Sequence, residues 1–258
     1  MLALLAAAVL SQSESQPNSP DVALHVVQKK DYTDRGRVEL TLYPAAVQVN
    51  GKFTQHVGGA MGVTYHLHEN FALMAMGLWN YFNDESPFSN ELNEKASVSA
   101  HAATSLLLVG GAMAGVEVTP FYGKVAFGDG NLVQFSLVVN GAAGAGATRH
   151  QLRPTNAAGP ATHGFTGWRF MAEVGGGLRA KLAEHFSLRL ELRDILYSAT
   201  VSTVNGCSAA DLSGTGAVSP GCSLPAPNDV PLALALVRNP SSDVLNNLGL
   251  YFGASVDF

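Results

Sequence analysis

Between Trp168 and Arg193 the chain alternates, residue by residue, between large apolar groups and charges, and this period of two limits the possible folds more than any other feature. Trp168, Phe170, Ala172, Val174, Gly176, Leu178, Ala180 and Leu182 fall on one face of an extended chain. Arg169, Met171, Glu173, Gly175, Gly177, Arg179 and Lys181 fall on the other. After Ala183-Glu184-His185, the residues Phe186, Leu188, Leu190 and Leu192 oppose Ser187, Arg189, Glu191 and Arg193. Successive side chains of a strand point to opposite faces. A helix, at 3.6 residues per turn, would scatter Arg179, Lys181, Arg189 and Glu191 around its axis. The segment therefore reads as two strands joined by a tight turn.

The same alternation, weaker, runs through much of the chain. Val38, Leu40 and Leu42 oppose Arg37, Glu39, Thr41 and Tyr43; Val57, Met61, Val63, Tyr65 and Leu67 oppose His56, Gly58, Gly62, Thr64 and His66. Phe135, Leu137 and Val139 oppose Gln134, Ser136 and Asn140. Two segments carry less contrast: Phe71 to Phe82 is apolar on both faces, and Thr104 to Val118 is a Leu- and Gly-rich run with Glu117 near its end. Eight strands are predicted, over 36–48, 56–67, 70–82, 104–118, 132–149, 166–182, 186–201 and 246–258, with little helix. A weak internal repeat fits this register. Gly62-Val-Thr-Tyr-His-Leu67-His-Glu-Asn-Phe71 matches Gly177-Leu-Arg-Ala-Lys-Leu182-Ala-Glu-His-Phe186 as strand, Glu-bearing turn and strand opening on Phe. Two hairpins of one kind explain it.

Only 14% of residues are charged, against about 25% in an ordinary soluble domain. A net charge of −5 without a basic stripe argues against nucleic-acid binding. No apolar run beyond the N-terminus reaches the roughly 18 residues of a spanning helix. The connections after strands 2 and 6 are very short and the one after strand 4 spans about thirteen residues, whereas those after strands 3, 5 and 7 are longer. Short turns at one end and long loops at the other is the pattern of an outer-membrane barrel, all-β and antiparallel, crossing with strands. In a bilayer every backbone N–H and C=O must bond internally, which a closed barrel achieves without long apolar runs. Eight strands leave an interior just wide enough for side chains. Arg169, Glu173, Arg179, Lys181, Arg189, Glu191 and Arg193, with Glu39 and Glu117, are expected to pair there, glycines making room for them. Trp79, Tyr81, Trp168, Phe170, Phe252 and Phe258 read as aromatic girdle residues. A soluble sandwich would reverse the two faces, turning those charges to water.

At the N-terminus, Met1 to Leu10 is apolar and precedes a polar stretch, Ser11 to Pro20. Residues 1–13 read as a secretory signal, shortened at its basic end because no Lys or Arg precedes the apolar run. Residues 14–35 are expected to form a periplasmic segment and 36–258 the transmembrane barrel. At the far end, Phe258, Val256, Ala254, Phe252, Leu250 and Leu248 alternate with Asp257, Ser255, Gly253, Tyr251, Gly249 and Asn247.

Several short motifs then carry a resemblance: Val26-Val-Gln-Lys-Lys30 with Gly36-Arg-Val-Glu-Leu40, Thr64-Tyr-His-Leu67 with Glu69 and Phe71, and Thr119-Pro-Phe-Tyr-Gly-Lys124. Leu188-Arg-Leu-Glu-Leu-Arg-Asp194 and Asn246-Asn-Leu248 complete the set. Together they resemble the myxobacterial-type outer-membrane β-barrel domain family, from about Val26 to Phe258. The resemblance implies an eight-stranded barrel related to the small OmpA- and OmpX-like barrels, in a Gram-negative outer membrane, with no catalytic residues. It also implies that Phe258, with Val256 and Phe252, forms the C-terminal signal read by the barrel assembly machinery.

Candidate chemistry is sparse. Cys207 and Cys222, the only cysteines, lie in the loop after strand 7 and read as a disulfide in an exported chain. Closing a loop of that size is worth roughly 3 kcal/mol in the chain-entropy model. His66 and His68, at i and i+2, suggest either a metal pair or two polar turn residues. Glu173 and Glu191 suggest an acid/base pair, but the cations on the same face make them salt-bridge partners instead. Glu184-His185 has no Ser placed for a triad, and Gly141 to Gly146 lacks the Lys-Ser/Thr of a phosphate loop. The expectation is a non-enzymatic barrel without metal or cofactor, embedded in outer-membrane lipid, not binding nucleic acid. Its role is structural or surface-interacting, through loops at about 84–103, 150–165 and 202–245. A loop-mediated adhesin or a narrow pore is the alternative.

Overall fold

The structure, a computed structural model, describes residues 33–50, 54–86, 106–127, 131–153, 155, 159–240 and 243–258. The expected signal at 1–13, nearly all of segment 14–35, the Val26–Lys30 motif and most of the 84–103 loop lie outside these residues.

Period-two segments become strands, and each strand finds an antiparallel partner on both sides. They are β1 (Val38–Asn50), β2 (Thr54–His68), β3 (Phe71–Glu85), β4 (Leu106–Phe127), β5 (Asn131–Arg153), β6 (Thr162–Ala183), β7 (Phe186–Ser198) and β8 (Val244–Asp257). They follow one another around a closed ring, and β1 completes it by pairing with β8. The last rung of that seam joins Val38 and Phe258: each N–H donates to the other's carbonyl, at 3.2 and 2.9 Å.

Alternation sorts the side chains. Outward positions are large and apolar, with Leu42, Val47, Leu192 and Leu250 each about half exposed at mid-strand. Inward positions on the same strands are polar or charged and almost fully buried, including Glu39, Thr41, Arg189 and Glu191. An apolar exterior around a hydrogen-bonded ring is a transmembrane barrel, and the reversed, soluble arrangement is overturned. Exposed aromatics mark both ends of the apolar band. Trp79, Tyr81, Phe82, Phe165, Trp168 and Phe170 lie toward the loop end; Phe71, Phe186 and Phe258 lie at the turn end. Phe252 departs from the girdle expectation. It pairs with Leu190 and Ala45 in the middle of the band.

Three irregularities refine the predicted boundaries. Pro44 sits in β1 where neither neighbouring ladder has a rung, at a bulge, which is how a strand with partners on both sides accommodates a residue lacking N–H. The thirteen-residue connection after strand 4 does not exist as a loop. Across a second bulge at Thr119-Pro120, β4 and β5 stay paired down to Phe127 and Asn131, so this connection is short like the other two at its end. Likewise β5 and β6 extend into the predicted 150–165 loop from both ends, pairing Arg153 with Thr162.

The two-residue turns Glu69-Asn70 and Glu184-His185 hold the strand that leads into the barrel. Glu69 carboxylate oxygens accept from the backbone N–H of Asp34 and Arg35 at 3.3 and 3.2 Å. Arg37 donates to the Glu184 carboxylate at 2.7 Å and to its backbone carbonyl at 3.1 Å. Through that hydrogen bond, first of all, Arg37 holds the Glu184 carboxyl below its usual range.

Lipid exposure of the outer face can be tested directly. Leu250→Arg, at mid-band on β8, should lower folding stability in phosphatidylcholine vesicles by about 2–4 kcal/mol, read from denaturant titration. Val244→Arg at the strand's loop end should cost well under half as much.

Candidate functional site

The lumen is built in two storeys. The storey nearer the short turns holds an ion-pair lattice in which each cation meets at least two carboxylates. Arg179 contacts Asp34 at 2.6 Å and Glu39 at 2.9 Å. Lys181 contacts Asp34 and Asp257, both at 2.6 Å. Arg189 contacts Glu39 at 2.8 Å, Glu191 at 2.7 Å and Glu117 through a short contact. Arg193 contacts Glu173 and Glu191, both at 2.7 Å. Glu191 also accepts from the Tyr43 hydroxyl at 2.6 Å and from Asn140 at 2.9 Å. The Arg193 guanidinium lies 5.2 and 5.3 Å from the ring centres of Tyr43 and Tyr251, within cation–π range.

Space for this lattice comes from the glycines of β6. A Cβ on Gly177 would lie 2.1 Å from the Leu190 carbonyl and 2.7 Å from Glu191 Cγ. A Cβ on Gly175 would lie 2.8 Å from Arg193 Cγ.

Of the residues expected in the lumen, Glu39, Glu117, Glu173, Arg179, Lys181, Arg189, Glu191 and Arg193 are thus brought together. Arg169 is not. It sits half-buried toward the loop end of β6, donates to the Thr166 carbonyl at 2.6 Å, and makes no ion pair with any described residue. It lies ten residues along β6 from Arg179, too far toward the other mouth to join. Sequence reading missed Asp34, Asp257, Tyr43 and His66 as lattice members. Asp257 and Tyr43 are legible in hindsight, since each occupies the polar face of an alternating strand. Asp34 precedes β1 and gives no periodic signal at all.

His66 and His68 do not share a face. A bulge at Leu67 turns His68 outward, while His66 Nε2 lies 3.0 Å from Glu39 Oε2. Donor atoms of Glu39, His66 and Asp257 lie within 4.8 Å of one another. Both Glu39 oxygens already face guanidinium groups and Asp257 faces Lys181, so added positive charge would meet three cations. Glu173 and Glu191 share Arg193, as salt-bridge partners should.

The second storey carries an apolar cluster among buried neutral polar groups such as Gln48, Thr148 and Asn247. Met74, Met76, Leu78, Met113, Met171, Ile195 and Tyr197 form that cluster. Its boundary with the lattice is a contact from Arg193 Nη1 to the Met76 sulfur, 2.9 Å. Near its top, a bulge skips Val109 in the β4–β5 ladder, and Leu108, paired with Thr148 of β5, lies beyond the last β3–β4 rung at Trp79 and Gly110. Side chains stand in for further rungs there: the Leu108 N–H donates to His56 Nε2 at 3.0 Å, and its carbonyl accepts from Asn80 and Asn83 at 2.8 and 3.0 Å.

Above it, segment 199–240 forms a folded cap rather than a tethered Gly-, Ser- and Pro-rich loop. It contains α1 (Ala209–Ser213), α2 (Val230–Arg238) and a disulfide between Cys207 and Cys222. Val201, Val204, Cys207, Leu212, Ala233 and Leu236 belong to the same buried cluster as Leu106, Leu108, Leu152 and Leu245 of the barrel. Asn205 stitches the cap to β6: its N–H donates to the Phe165 carbonyl at 2.7 Å, and its Oδ1 accepts from Phe165 N–H at 2.8 Å. Asn205 and Gly206 both have positive φ, 52° and 77°, the Asn-Gly pairing that a tight reversal favours. Asp229 meets Arg153 of the neighbouring β5 at 3.4 Å. Ser208 and Asp211 form a capping box at α1. Hydrogen bonds from Ser208, chiefly, hold the Asp211 carboxyl well below its usual range.

Neither a protein-family model nor a curated protein matches this sequence. Solved structures do resemble the barrel. Ail, the attachment invasion locus protein of Yersinia pestis, in a complex with the heparin analogue sucrose octasulfate, is 8% identical, covering 87% of this chain and 99% of that one at a TM-score of 0.36. The N-terminal β-barrel domain of Pseudomonas aeruginosa OprF is 11% identical, over 87% and 98%, at 0.35. Neisserial surface protein A is 11% identical, over 86% and 97%, at 0.38. The barrel assignment itself rests on the closed ring and its apolar exterior.

Three outcomes are expected. Removing one partner of a buried pair leaves the other charge uncompensated, at about 3–5 kcal/mol. Glu39→Gln should cost that much in denaturant unfolding, whereas Arg169→Gln, outside the lattice, should cost under about 1 kcal/mol, the worth of one ordinary hydrogen bond. Replacing both cysteines by serine should leave the barrel folded but expose the cap to proteases at neutral pH, because about 3 kcal/mol of chain constraint is lost. The Asp211 contribution has a definite sign: with its folded pKa depressed, it stabilises the cap above about pH 4 and fades as pH falls below that.

Proposed function

We propose that this chain is an outer-membrane barrel of a Gram-negative envelope whose working surface is the cap, with a structural or surface-interaction role. The observation that carries this reading is the closure of the lumen at two levels, by the ion-pair lattice and by the cap's apolar core. A filled barrel offers no path for solute. What it holds out, on the long-loop side, is a covalently braced surface. In this orientation the short turns and both ends of the barrel domain face the periplasm, and the cap faces outward. Phe258, with Val256 and Phe252 on its strand, suits recognition by the assembly machinery, since all three point outward from β8. The short motifs around Gly36–Leu40 and Leu188–Asp194 support a relationship to the myxobacterial-type barrel domain family. We also infer a non-enzymatic role: the lumen carboxylates are engaged with arginine or lysine, leaving no acid/base pair poised beside open space.

The adhesin or ligand-binding reading is favoured over the pore by the same filled lumen. In planar bilayers the protein should give no steady conductance, and sustained openings would overturn the closed-barrel reading. On SDS gels the unheated protein should run ahead of the heated one. Deleting 202–240 behind a short linker should preserve that shift while abolishing any surface attachment; unchanged attachment would rule the cap out.

A further inference from the structure

The outer wall carries a cation near its loop end. Arg149 continues the outward row of β5 after Ala143, Ala145 and Ala147, and pairs across the ladder with Leu107 and the exposed Phe165. Its guanidinium reaches over β4 and donates, through Nη2, to the Asn83 carbonyl at 3.1 Å and, in a short contact, to Asn83 Oδ1. No described carboxylate forms an ion pair with it. A guanidinium has five N–H donors in a fixed fork, so this anchoring fixes its position while using one nitrogen.

In front of Arg149 lies an open cleft of about 350 Å³. Tyr81 and Phe82 form its wall, with Phe82 74% exposed, and His163, Asp84 and Arg149 supply its polar rim. Its height is that of the loop-end aromatic girdle, where Trp79 and Tyr81 stack edge to face. Girdle aromatics sit at head-group level, and there an outward arginine costs only about 0–1 kcal/mol. Apolar rings on the membrane side and a guanidinium on the water side match an amphiphile with an anionic head.

We propose that this cleft binds the phosphate of an outer-leaflet lipid head group, with Arg149 as its principal ligand and Tyr81 and Phe82 against the attached apolar part. The inference rests on the outer-membrane reading above. Asp84 opposes a phosphate and tempers the affinity.

The test uses the full chain in a sugar detergent free of phosphate, with binding followed by native mass spectrometry. Phosphatidic acid is compared with diacylglycerol of the same chains, and with inorganic phosphate at equal concentration. Phosphatidic acid should bind about tenfold better than diacylglycerol, the scale of one charge-assisted hydrogen-bond pair. Arg149→Gln should abolish that preference, Arg149→Lys should keep part of it, and Asp84→Asn should strengthen it. Arg37→Gln, at the opposite end, should leave it unchanged. Heat-modifiable migration confirms that each variant is folded. Equal binding of phosphatidic acid and diacylglycerol, or a preference surviving Arg149→Gln, would overturn the proposal. Inorganic phosphate competing as well as the lipid would overturn the lipid source in favour of a soluble anion. Fractionation separates the two readings: wild type in the outer membrane without lipid preference sinks this inference alone, and wild type elsewhere sinks both.

Discussion

A strand surrounded by hydrocarbon has nowhere to place its backbone donors and acceptors except on another strand, and an open sheet always leaves two edges unsatisfied. Closure of β1 onto β8 removes both edges, and the rest of the molecule follows from it. Eight strands closed in a ring make a narrow interior, so one side chain in two must be packed in a confined space. Charges placed there need partners on other strands, because no water reaches them in quantity. The lattice centred on Glu39 and Glu191 is what that requirement produces. Glycines at 175 and 177 are its steric counterpart, since Arg193 and Glu191 of β7 lie directly across from them on β6.

Much of this was legible in the sequence, and for an identifiable reason. Where charge and bulk alternate, as from Trp168 to Arg193, the pattern alone gives the strand and its two faces, though not which charges meet across the lumen. It weakened where contrast was low. The stretch Thr119 to Lys124 carries a proline and aromatics, reads as a connection, and yet continues β4, because a bulge absorbs Pro120. The cap was underestimated because its apolar residues are spread over four decades of sequence and become a core only when the barrel mouth supplies the other half. Asp34 was invisible for a related reason: its role depends on chain entering the lumen before any period begins.

The internal repeat acquires a physical meaning that sequence similarity did not suggest. Glu69 and Glu184 occupy equivalent turns of the β2–β3 and β6–β7 hairpins, and both hold the same short stretch, Asp34 to Arg37, from different sides. That stretch then delivers the Asp34 carboxylate to Arg179 and Lys181. Two similar turns thus cooperate in stoppering one mouth, as the cap stoppers the other.

The boundary at Met76 and Arg193 has a consequence for how such a barrel enters a membrane. Character changes along the axis: the half nearest the short turns holds the ion-pair lattice, and the half toward the loops combines thioethers and leucines with neutral polar groups such as Gln48, Thr148 and Asn247. If insertion proceeds from the side of the short turns, the loop-side half leads. The groups that lead are then the cap and the neutral interior beneath it, and the lattice, which reaches mid-strand at Arg193, follows.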